Sequence, residues 1–221
     1  MPERSLIAAL ILAAGSSSRM GGGRHKLLLP LGDRPVLAHV IAAALASQAR
    51  PIIVVLGHQA AQVRAQIAAY LAHPDVLSIE NPDYLQGMST SLRAGIQALS
   101  ARENKEGSLS HFPAGALIML GDQPLMTAHI MDTLIASKRT TGKRILIPFY
   151  NGERGNPVLF DASLFPELLE ITGDGGARSV IERHRQEIAN IELGASIASY
   201  DVDTWDAYQA VVAEWERRQG S

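Results

Sequence analysis

The stretch Leu6–Lys26, which reads LIAALILAAGSSSRMGGGRHK, decides the fold and locates the candidate site. It begins with an apolar run that is too short to span a membrane and is typical of a buried parallel strand. The run ends in Ala-Ala-Gly-Ser-Ser-Ser, small residues that let the backbone approach a ligand closely. Three cations follow, Arg19, Arg24 and Lys26. A strand, a glycine- and serine-rich loop and then positive charge predict an anion site, and a polyphosphate is the anion that fits best.

This loop follows neither of the two familiar phosphate-binding patterns. The P-loop pattern requires Ser or Thr after the lysine, and Leu27 stands there. The dinucleotide pattern G-x-G-x-x-G is absent at the end of this strand as well. A glycine-rich turn with incidental cations is the alternative interpretation that these residues leave open.

The bulk composition bounds the class of protein. A chain of 221 residues that is 47% hydrophobic suits one domain with a full core, and we expect one domain over residues 1–221. Its 20 Lys and Arg residues against 22 Asp and Glu residues argue against a nucleic-acid partner. The absence of cysteine excludes disulfides and cysteine-bound zinc. No signal peptide or membrane-spanning run is recognisable, which predicts a cytoplasmic protein.

Predicted strands alternate with predicted helices along the rest of the chain. This alternation indicates an α/β, Rossmann-like fold with a mostly parallel central sheet flanked by helices. The Asn-Gly pair within Tyr150–Phe160 predicts a hairpin. We expect strands at 51–57, 76–80, 115–120, 145–148 and 188–193, helices at 35–47, from 62, 92–99, 127–135, 164–169, 180–184 and 205–217, and a surface loop at 101–111.

Two further segments have the small and polar residues of ligand-binding loops. In Asn81–Ser91 a glycine, Gly87, and three successive hydroxyl residues lead into a helix, and one helix cap does not require so many donors. Thr172–Ser179, which reads TGDGGARS, is a second glycine-rich candidate for an anion, again ahead of a helix.

Acidic residues follow two of the predicted strands. Asp122 comes directly after the strand at 115–120, and Asp201 and Asp203 follow the last strand. Open α/β sheets bind ligands at the carboxyl ends of their strands, and carboxylates are natural Mg²⁺ ligands. Asp122 could instead cap the helix at 127–135. Carboxylates that share a divalent cation beside a cationic loop are suited to transfer at phosphorus.

Together these segments resemble the nucleotidyltransferases of glycosyltransferase-A-like fold, and among them most closely the molybdenum cofactor cytidylyltransferase family. The resemblance covers essentially the whole chain in the right order. The segments that carry it are LAAGSSSRMG at 12–21, KLLLPL at 26–31, Asn81 with GMSTS at 87–91, GDQP at 121–124, RGNPVLF at 154–160, GDGGAR at 173–178 and DVDT at 201–204.

The resemblance implies a reaction in which the terminal phosphate of molybdenum-bearing molybdopterin attacks the α-phosphorus of CTP and pyrophosphate leaves. The implied cofactor is Mg²⁺ or Mn²⁺, held by Asp122 with Asp201 and Asp203. Arg19 and Lys26 would hold the triphosphate, so that the implied catalytic set is Arg19, Lys26 and Asp122. The other implied contacts are Leu12, Ala13, Ala14, Gly15, Ser16, Asn81, Gly87, Ser89 and Ser91 for the nucleotide, and Asn156 and Arg178 for the pterin side.

Two details of the first loop bear on specificity. Related guanylyltransferases have glycine where this chain has Ala14, and the added methyl group favours a pyrimidine by about 1–3 kcal/mol. The interval between Met20-Gly21 and Lys26 is longer than is usual in the family, which leaves Arg24 as an alternative ligand of the triphosphate.

Other functions use some of the same residues. A guanylyltransferase on the same cofactor and a nucleotidyltransferase on a sugar phosphate would both retain the loop and the aspartates. A carrier protein that hands the cofactor to a molybdenum enzyme would have no use for Asp122. We expect a monomer with small-molecule substrates, with a client molybdenum hydroxylase as the candidate protein partner, and with no membrane contact.

Overall fold

The computed structural model describes residues 6–17, 20, 25–103, 112–194 and 200–220. Arg19 and Arg24 lie outside the described residues, and so does most of the predicted loop at 101–111. The strands are β1 (Ile7–Ala13), β2 (Pro30–Leu31), β3 (Arg34–Pro35), β4 (Ile52–Leu56), β5 (Val76–Glu80), β6 (Gly115–Leu120), β7 (Ile145–Tyr150), β8 (Glu153–Arg154), β9 (Val158–Asp161) and β10 (Ile188–Glu192). The α-helices are α1 (Val36–Ala46), α2 (Ala60–Gln66), α3 (Ala68–Leu71), α4 (Met88–Glu103), α5 (Ala128–Thr141), α6 (Phe165–Leu169), α7 (Arg178–Arg183) and α8 (Trp205–Gln219).

The predicted mostly parallel sheet is confirmed. Its strand order is β10-β7-β9-β6-β1-β4-β5, with β8 paired to β7. The first strand is central and pairs in parallel with both β4 and β6. Only β8 and β9 run against the others, and β9 is inserted between β6 and β7. The carboxyl ends of β1, β4, β5 and β6 therefore meet at one edge of the sheet.

Helices cover both faces of the sheet, so that its central strand β1 is buried on both sides. Its residues Ile7, Ala9 and Ile11 pack into a cluster that includes side chains of α1, α2 and α5. The alternate residues pack with α4, α6 and α7 on the opposite face. Helix α4 lies very close to the sheet at Gly95, where a Cβ atom would stand 2.1 Å from Leu10 Cδ1.

Backbone hydrogen bonds hold the loops at the carboxyl edge side by side. The amide of Gly121 donates to the Leu12 carbonyl at 2.9 Å, and the amide of His58 donates to the Ala14 carbonyl at 3.1 Å. The amide of Asn81 donates to the Leu56 carbonyl at 2.8 Å. The loops after β1, β4, β5 and β6 thus form one continuous rim.

The structure corrects the start of one predicted helix and identifies the residue that caps another. Helix α4 begins at Met88 and not at Leu92, so that the three hydroxyl residues lie inside its first turn. Helix α5 is capped by Thr127, whose Oγ1 accepts from the amide of Ile130 at 3.4 Å, and not by Asp122. The alternative role of Asp122 as a helix cap is therefore wrong.

The predicted hairpin and the predicted last helix are confirmed. Asn151 and Gly152 both have positive φ, 52° and 82°, and join Tyr150 to Glu153 in an antiparallel pair. Helix α8 buries Tyr208 and Val211 against the hairpin formed by β2 and β3. Among the described residues, none of the helices combines the length and apolarity needed to cross a bilayer.

Candidate active site

The first of two cavities opens at the carboxyl edge of the sheet beyond β1. It has a volume of about 710 Å³. Its walls come from the end of β1 and the loop after it, from the start of α4, and from four aspartates, Asp122, Asp174, Asp201 and Asp203. The predicted site residues that line it are Leu12, Ala13, Ala14, Gly15, Ser16, Lys26, Gly87, Ser91, Asp122, Asp201 and Asp203.

The loop after β1 is closed by a serine in a left-handed conformation. Ser17 has a φ of 56°, and its Oγ accepts from the amide of Lys26 at 3.1 Å. Its carbonyl accepts from the amide of Met20 at 3.0 Å. Gly15 and Ser16 are exposed toward the cavity between these anchors. The loop therefore offers backbone N–H groups and a lysine to a common space.

Lys26 joins two of the acidic residues that lie far apart in the sequence. Its Nζ donates to Asp122 Oδ2 and, at 2.7 Å, to Asp203 Oδ1. The side chains of Lys26 and Asp122 are only 15% and 12% exposed. Burial alone would lower the pKa of Lys26, but the charge and hydrogen bonds of Asp122 and the hydrogen bond of Asp203 outweigh burial and raise it. The lysine is held in its charged form.

Asp201 adds a third carboxylate to this cluster. Burial raises the pKa of Asp201, and the like charges of Asp122 and Asp203 raise it further. The segment 201–203 is fixed by Val202. The amide of Val202 donates to the Asp122 carbonyl at 3.0 Å, and the Val202 side chain is fully buried. Among the described residues, these three carboxylates and the ammonium of Lys26 therefore form one charge cluster.

Two of the three carboxylates are placed where they could hold a divalent cation. In the described part of the chain, no three His, Asp or Glu side chains already converge as a closed metal site. Asp122 and Asp203 do converge on one positive charge, the ammonium of Lys26. Mg²⁺ is commonly held by one or two carboxylates together with substrate phosphates, so this pair is sufficient for such a cation. The structure thus brings two of the three predicted metal-binding aspartates onto one point, with Asp201 beside them.

Two residues that we predicted to line the nucleotide pocket lie behind its wall. Asn81 is 3% exposed, and its Nδ2 donates to Thr90 Oγ1 at 2.8 Å and to Ser91 Oγ at 3.0 Å. Its Oδ1 accepts from the amide of Asp83 at 3.0 Å, so that its amide group is fully used. Ser89 is 1% exposed. The Asn81 side chain therefore holds the start of α4 in place, and Ser91 also lines the cavity.

The second glycine-rich segment docks onto the start of α4. The amide of Ser89 donates to the Gly173 carbonyl at 3.2 Å. Gly87 has a φ of +110°, and a Cβ atom there would stand 2.5 Å from Asp174 Oδ1. Only glycine fits both the conformation and the close approach. The contact makes Asp174 part of the walls of two neighbouring cavities.

The second cavity lies beside the first and has a volume of about 750 Å³. The two cavities share Leu12, Met88, Leu120, Asp174 and Asp201. Its lining combines apolar side chains with polar residues from β8 and the segment after it, from the 172–178 loop and α7, and at Gln123 and Asp201. The principal lining residues are Ile118, Gln123, Ile147, Arg154, Asn156, Val158, Phe160, Arg178 and Ile181.

A buried tyrosine fixes the part of this wall that contains Asn156. Tyr150 is 1% exposed, and its hydroxyl donates to the Asn156 carbonyl at 2.8 Å. Burial raises the pKa of Tyr150, so its hydroxyl keeps the proton that it donates. Asn156 and Arg178, which we predicted on the pterin side, both line this second cavity.

A row of three rings ends at the first cavity, where Tyr84 is a lining residue that the motifs did not indicate. The rings of His25 and His58 stack at 5.6 Å, and the ring of Tyr84 follows at 6.0 Å from that of His58. His25 Nε2 donates to the His58 carbonyl at 3.1 Å, and burial lowers the pKa of His25. Tyr84 lines the cavity beside the 78% exposed Leu85. Tyr84 is the aromatic residue within Asn81–Ser91, and its presence in that candidate loop was the sequence signal that could have indicated this contact.

Comparisons with known proteins place this architecture in a family. Residues 9–188 match the MobA-like NTP transferase domain. The molybdenum cofactor cytidylyltransferase of Escherichia coli (strain K12) is 30% identical over 207 residues, which are 92% of this chain and 94% of that protein. The bifunctional protein GlmU of Syntrophotalea carbinolica is 30% identical over 141 residues, 64% of this chain, and there the match spans 27% of the relative's length.

Solved structures agree with the sequence relatives. The crystal structure of the Rv0371c homologue from Mycobacterium sp. strain JC1 superposes with a TM-score of 0.79 at 33% identity, covering 97% of this chain and 99% of that one. Rv0371c of Mycobacterium tuberculosis, solved in complex with manganese, has a TM-score of 0.73 at 28% identity, covering 94% and 98% of the two chains. A CMP:2-keto-3-deoxy-manno-octonic acid synthetase complexed with CTP shares the fold alone, at 15% identity, 97% and 100% coverage and a TM-score of 0.68.

Proposed function

Because the chain belongs to the MobA-like NTP transferase family, we propose that it transfers CMP from CTP to the terminal phosphate of molybdopterin and releases pyrophosphate. The observation that carries the proposal is the pair of adjoining cavities that share a wall at Asp201, with the Lys26–Asp122–Asp203 cluster at the first of them. The full-length similarity to the cytidylyltransferase of Escherichia coli supports the choice of substrates.

The first cavity is the proposed nucleotide side. Gly15 and Ser16 line its space, and the backbone N–H groups of such a loop suit the oxygens of a triphosphate. Lys26 lines the same space with a charged ammonium. We assign it to the negative charge that develops on the departing pyrophosphate, together with Arg19, which lies outside the described residues.

Asp122 and Asp203 are the proposed ligands of Mg²⁺ or Mn²⁺, with Asp201 beside them. Their convergence on the Lys26 ammonium supports this assignment, and so does the manganese complex of the mycobacterial homologue. A divalent cation bound there would lower the repulsion between the negative charges of the two substrates.

The second cavity is the proposed acceptor side. An oxygen of the acceptor's terminal phosphate attacks the α-phosphorus of CTP, a new P–O–P linkage forms, and the bond between the α-phosphorus and its bridging oxygen to the β-phosphate breaks. Arg154 and Arg178 line this cavity and offer positive charge to the attacking phosphate. Two anionic substrates need cations on both sides, and each cavity supplies them.

The proposal is tested by turnover with defined substrates. Purified chain with MgCl₂, CTP and molybdenum-bearing molybdopterin is expected to release pyrophosphate and to form the cytosine dinucleotide, with little product from GTP, ATP or UTP. A preference for GTP would assign a guanylyltransferase instead. Turnover with a sugar 1-phosphate in place of the pterin would assign a sugar nucleotidyltransferase. If the chain binds molybdopterin but releases no pyrophosphate, the result would assign the carrier function instead.

The setting of the reaction follows from the same proposal. We assign the chain to the cytoplasm as a monomer that passes its product to a client molybdenum hydroxylase. Size-exclusion chromatography with light scattering measures the oligomeric state directly. Transfer of the labelled dinucleotide to a cofactor-free hydroxylase, with and without a dialysis membrane between the two proteins, tests whether the hand-over requires contact.

A further inference from the structure

Five residues line both cavities and so mark the junction where the two cavities meet. Two of them are aspartates, and the other three are the apolar residues Leu12, Met88 and Leu120. In the proposed function a phosphate of the acceptor in the second cavity attacks CTP in the first, so the reacting atoms lie at this junction. Phosphate binding uses charge and hydrogen bonds, and it gives no role to three apolar side chains.

Leu12 and Leu120 form the part of the junction that belongs to the sheet. They are register partners at the ends of β1 and β6, and both pack toward the face that α4 covers. Leu12 is 9% exposed, and Leu120 is half-buried. The sheet therefore presents two neighbouring apolar side chains at the junction.

Met88 is the exposed apolar residue of the junction. Among the described residues three large hydrophobic side chains are exposed, Leu85, Met88 and Trp205, and of these three only Met88 lines both cavities. It is 43% exposed. When ligands fill the two cavities, an accessible apolar side chain between them is taken out of contact with water, which is favourable.

The position of Met88 is set by its neighbours on α4 and on the second glycine-rich segment. It is the first residue of α4, and the amide of the next residue, Ser89, donates to the Gly173 carbonyl at 3.2 Å. A Cβ atom at Gly176 would stand 3.3 Å from Met88 Sδ, so the thioether extends to the second glycine-rich segment. Methionine is unbranched and adapts its shape to its neighbours, which suits a side chain between two substrates.

Two nucleophiles compete for the α-phosphorus of CTP, a phosphate oxygen of the acceptor and a water molecule. With water, an oxygen–phosphorus bond forms, the bond to the bridging oxygen of the β-phosphate breaks, a proton passes to solvent, and CMP and pyrophosphate result. Asp174 and Asp201 line the junction, and a carboxylate can orient and deprotonate such a water. Alkyl groups and a thioether offer a water molecule almost no hydrogen bonds.

We propose that Met88 is a specificity-determining residue that selects the acceptor phosphate over water. Its side chain, together with those of Leu12 and Leu120, excludes water from the junction, so that the α-phosphorus reacts with the acceptor and CTP is not hydrolysed. This inference rests on the proposed function and deepens it, because it assigns the choice of nucleophile to a side chain that neither metal binding nor phosphate binding uses.

The test changes this side chain and measures how CTP is divided between the two nucleophiles. With MgCl₂, CTP and molybdopterin, CMP reports hydrolysis and the cytosine dinucleotide reports transfer, and chromatography separates the two products. Met88→Ala is expected to raise the ratio of CMP to dinucleotide on the order of tenfold. Met88→Gln, which keeps the size and adds groups that hold water, is expected to raise the ratio as well. Met88→Leu, of similar size and apolar, is expected to keep the ratio of the wild type.

Leu85→Ala is the matched control. Leu85 is an exposed apolar residue that lines the first cavity and not the second, so its truncation is expected to leave the ratio unchanged, whatever its effect on the KM for CTP. A loss of folded protein would lower hydrolysis and transfer together, so the ratio separates the choice of nucleophile from a structural effect. Because Met88 is 43% exposed, its variants are expected to melt close to the wild type.

The outcomes separate the inference from the proposed function. An unchanged ratio in Met88→Ala and Met88→Gln, or an equal rise in Leu85→Ala, would overturn the inference alone. Transfer to a sugar phosphate in place of molybdopterin would overturn the proposed acceptor, and a raised ratio in Met88→Ala with that sugar phosphate would still support the inference. No release of pyrophosphate by the wild type with any of these acceptors would overturn both.

Discussion

The two cavities differ in how the fold builds them. The first is made at the carboxyl ends of parallel strands, where the loop after β1 and the aspartate after β6 are held by backbone hydrogen bonds between neighbouring loops. The second depends on antiparallel strand β9, on the hairpin ahead of it and on the 172–178 loop. In the proposed function, the parallel core carries the charged chemistry and the inserted strands carry recognition of the acceptor. Substitutions in the first cavity are expected to affect turnover, and those in the second to affect acceptor affinity.

The largest effect is expected from Asp122→Ala. The carboxylate is paired with Lys26 and is a proposed metal ligand, so its loss is expected to reduce turnover on the order of 10²–10³-fold or more. Pyrophosphate release at saturating CTP and Mg²⁺ measures the effect. Asp33→Asn, an exposed aspartate whose side chain is 79% accessible, is the control and is expected to retain full turnover. Retained activity in Asp122→Ala would remove the residue from the chemistry.

The next effect concerns the cation between the carboxylates. Lys26→Ala leaves Asp122 and Asp203 facing each other without their ammonium, which is expected to lower the free energy of unfolding by about 1–3 kcal/mol. Because Mn²⁺ can replace the missing charge, the variant is expected to gain more melting temperature from Mn²⁺ than the wild type does. Thermal shift with and without MnCl₂ measures this difference.

Lys138→Ala is the matched control for the lysine experiment. Lys138 pairs with Asp161 at 2.7 Å and its side chain is 16% exposed, close to the 15% of Lys26. The control loses a similar ion pair away from both cavities, so Mn²⁺ is expected to give it no extra stabilisation. An equal response of the two variants to Mn²⁺ would argue against a metal site at Asp122 and Asp203.

The sequence predicted the first cavity much better than the second. The alternation of strand-like and helix-like hydrophobic patterns is a local property of the sequence, and so is the order of strand, loop and cations. For this reason β1, its loop and Asp122 could be placed without coordinates. Asn81 could not be placed in the same way, because only its hydrogen bonds to Thr90 and Ser91 show that its amide is used within the wall. The helix start at Met88 was missed because the sequence does not distinguish a hydroxyl residue inside the first turn of a helix from a hydroxyl residue that precedes the helix.

The second cavity depends on contacts between distant residues. The insertion of β9 between β6 and β7 brings Asn156 to the same cavity, and strand order is not a local property. A hairpin was predicted from Asn151-Gly152, but its place in the sheet was not.

Ala14→Gly tests base selection within the first cavity. The Ala14 side chain lines the cavity and its Cβ stands 2.7 Å from where a Cβ atom at Gly57 would lie. Removing the methyl group widens this wall, so the ratio of turnover with CTP to turnover with GTP is expected to fall on the order of tenfold. Ala13→Gly, which also lines the cavity, is the control and is expected to leave the ratio unchanged. An unchanged ratio in Ala14→Gly would place base selection in another wall.

Tyr150→Phe tests whether the second cavity can be perturbed separately. The variant loses the hydroxyl that donates to the Asn156 carbonyl, at a cost of about 0.5–1.5 kcal/mol. The loosened wall is expected to raise the KM for the acceptor by roughly threefold to tenfold, while the KM for CTP stays the same. Tyr208→Phe, whose hydroxyl donates to the Pro30 carbonyl, loses an equivalent bond and serves as the control. If both variants change the KM for CTP equally, the division of labour between the cavities is wrong.

The smallest effect is expected from His184, which stabilises the region around α7. Helix α7 begins with Arg178, which lines the second cavity. His184, just after α7, places Nε2 at 2.8 Å from Glu167 Oε1 and Nδ1 at 2.9 Å from Glu187 Oε1. Hydrogen bonds to Glu187 and Glu167 raise the pKa of His184 above its usual value of 6.5. Its stabilisation is therefore fully present below pH 6.5 and is lost as the pH rises through the raised pKa. The difference in melting temperature between wild type and His184→Gln is expected to be greatest at pH 5.5 and to shrink toward pH 9. In a Glu167→Gln, Glu187→Gln background the difference is expected to lose this pH dependence, and its persistence there would assign the effect to other groups.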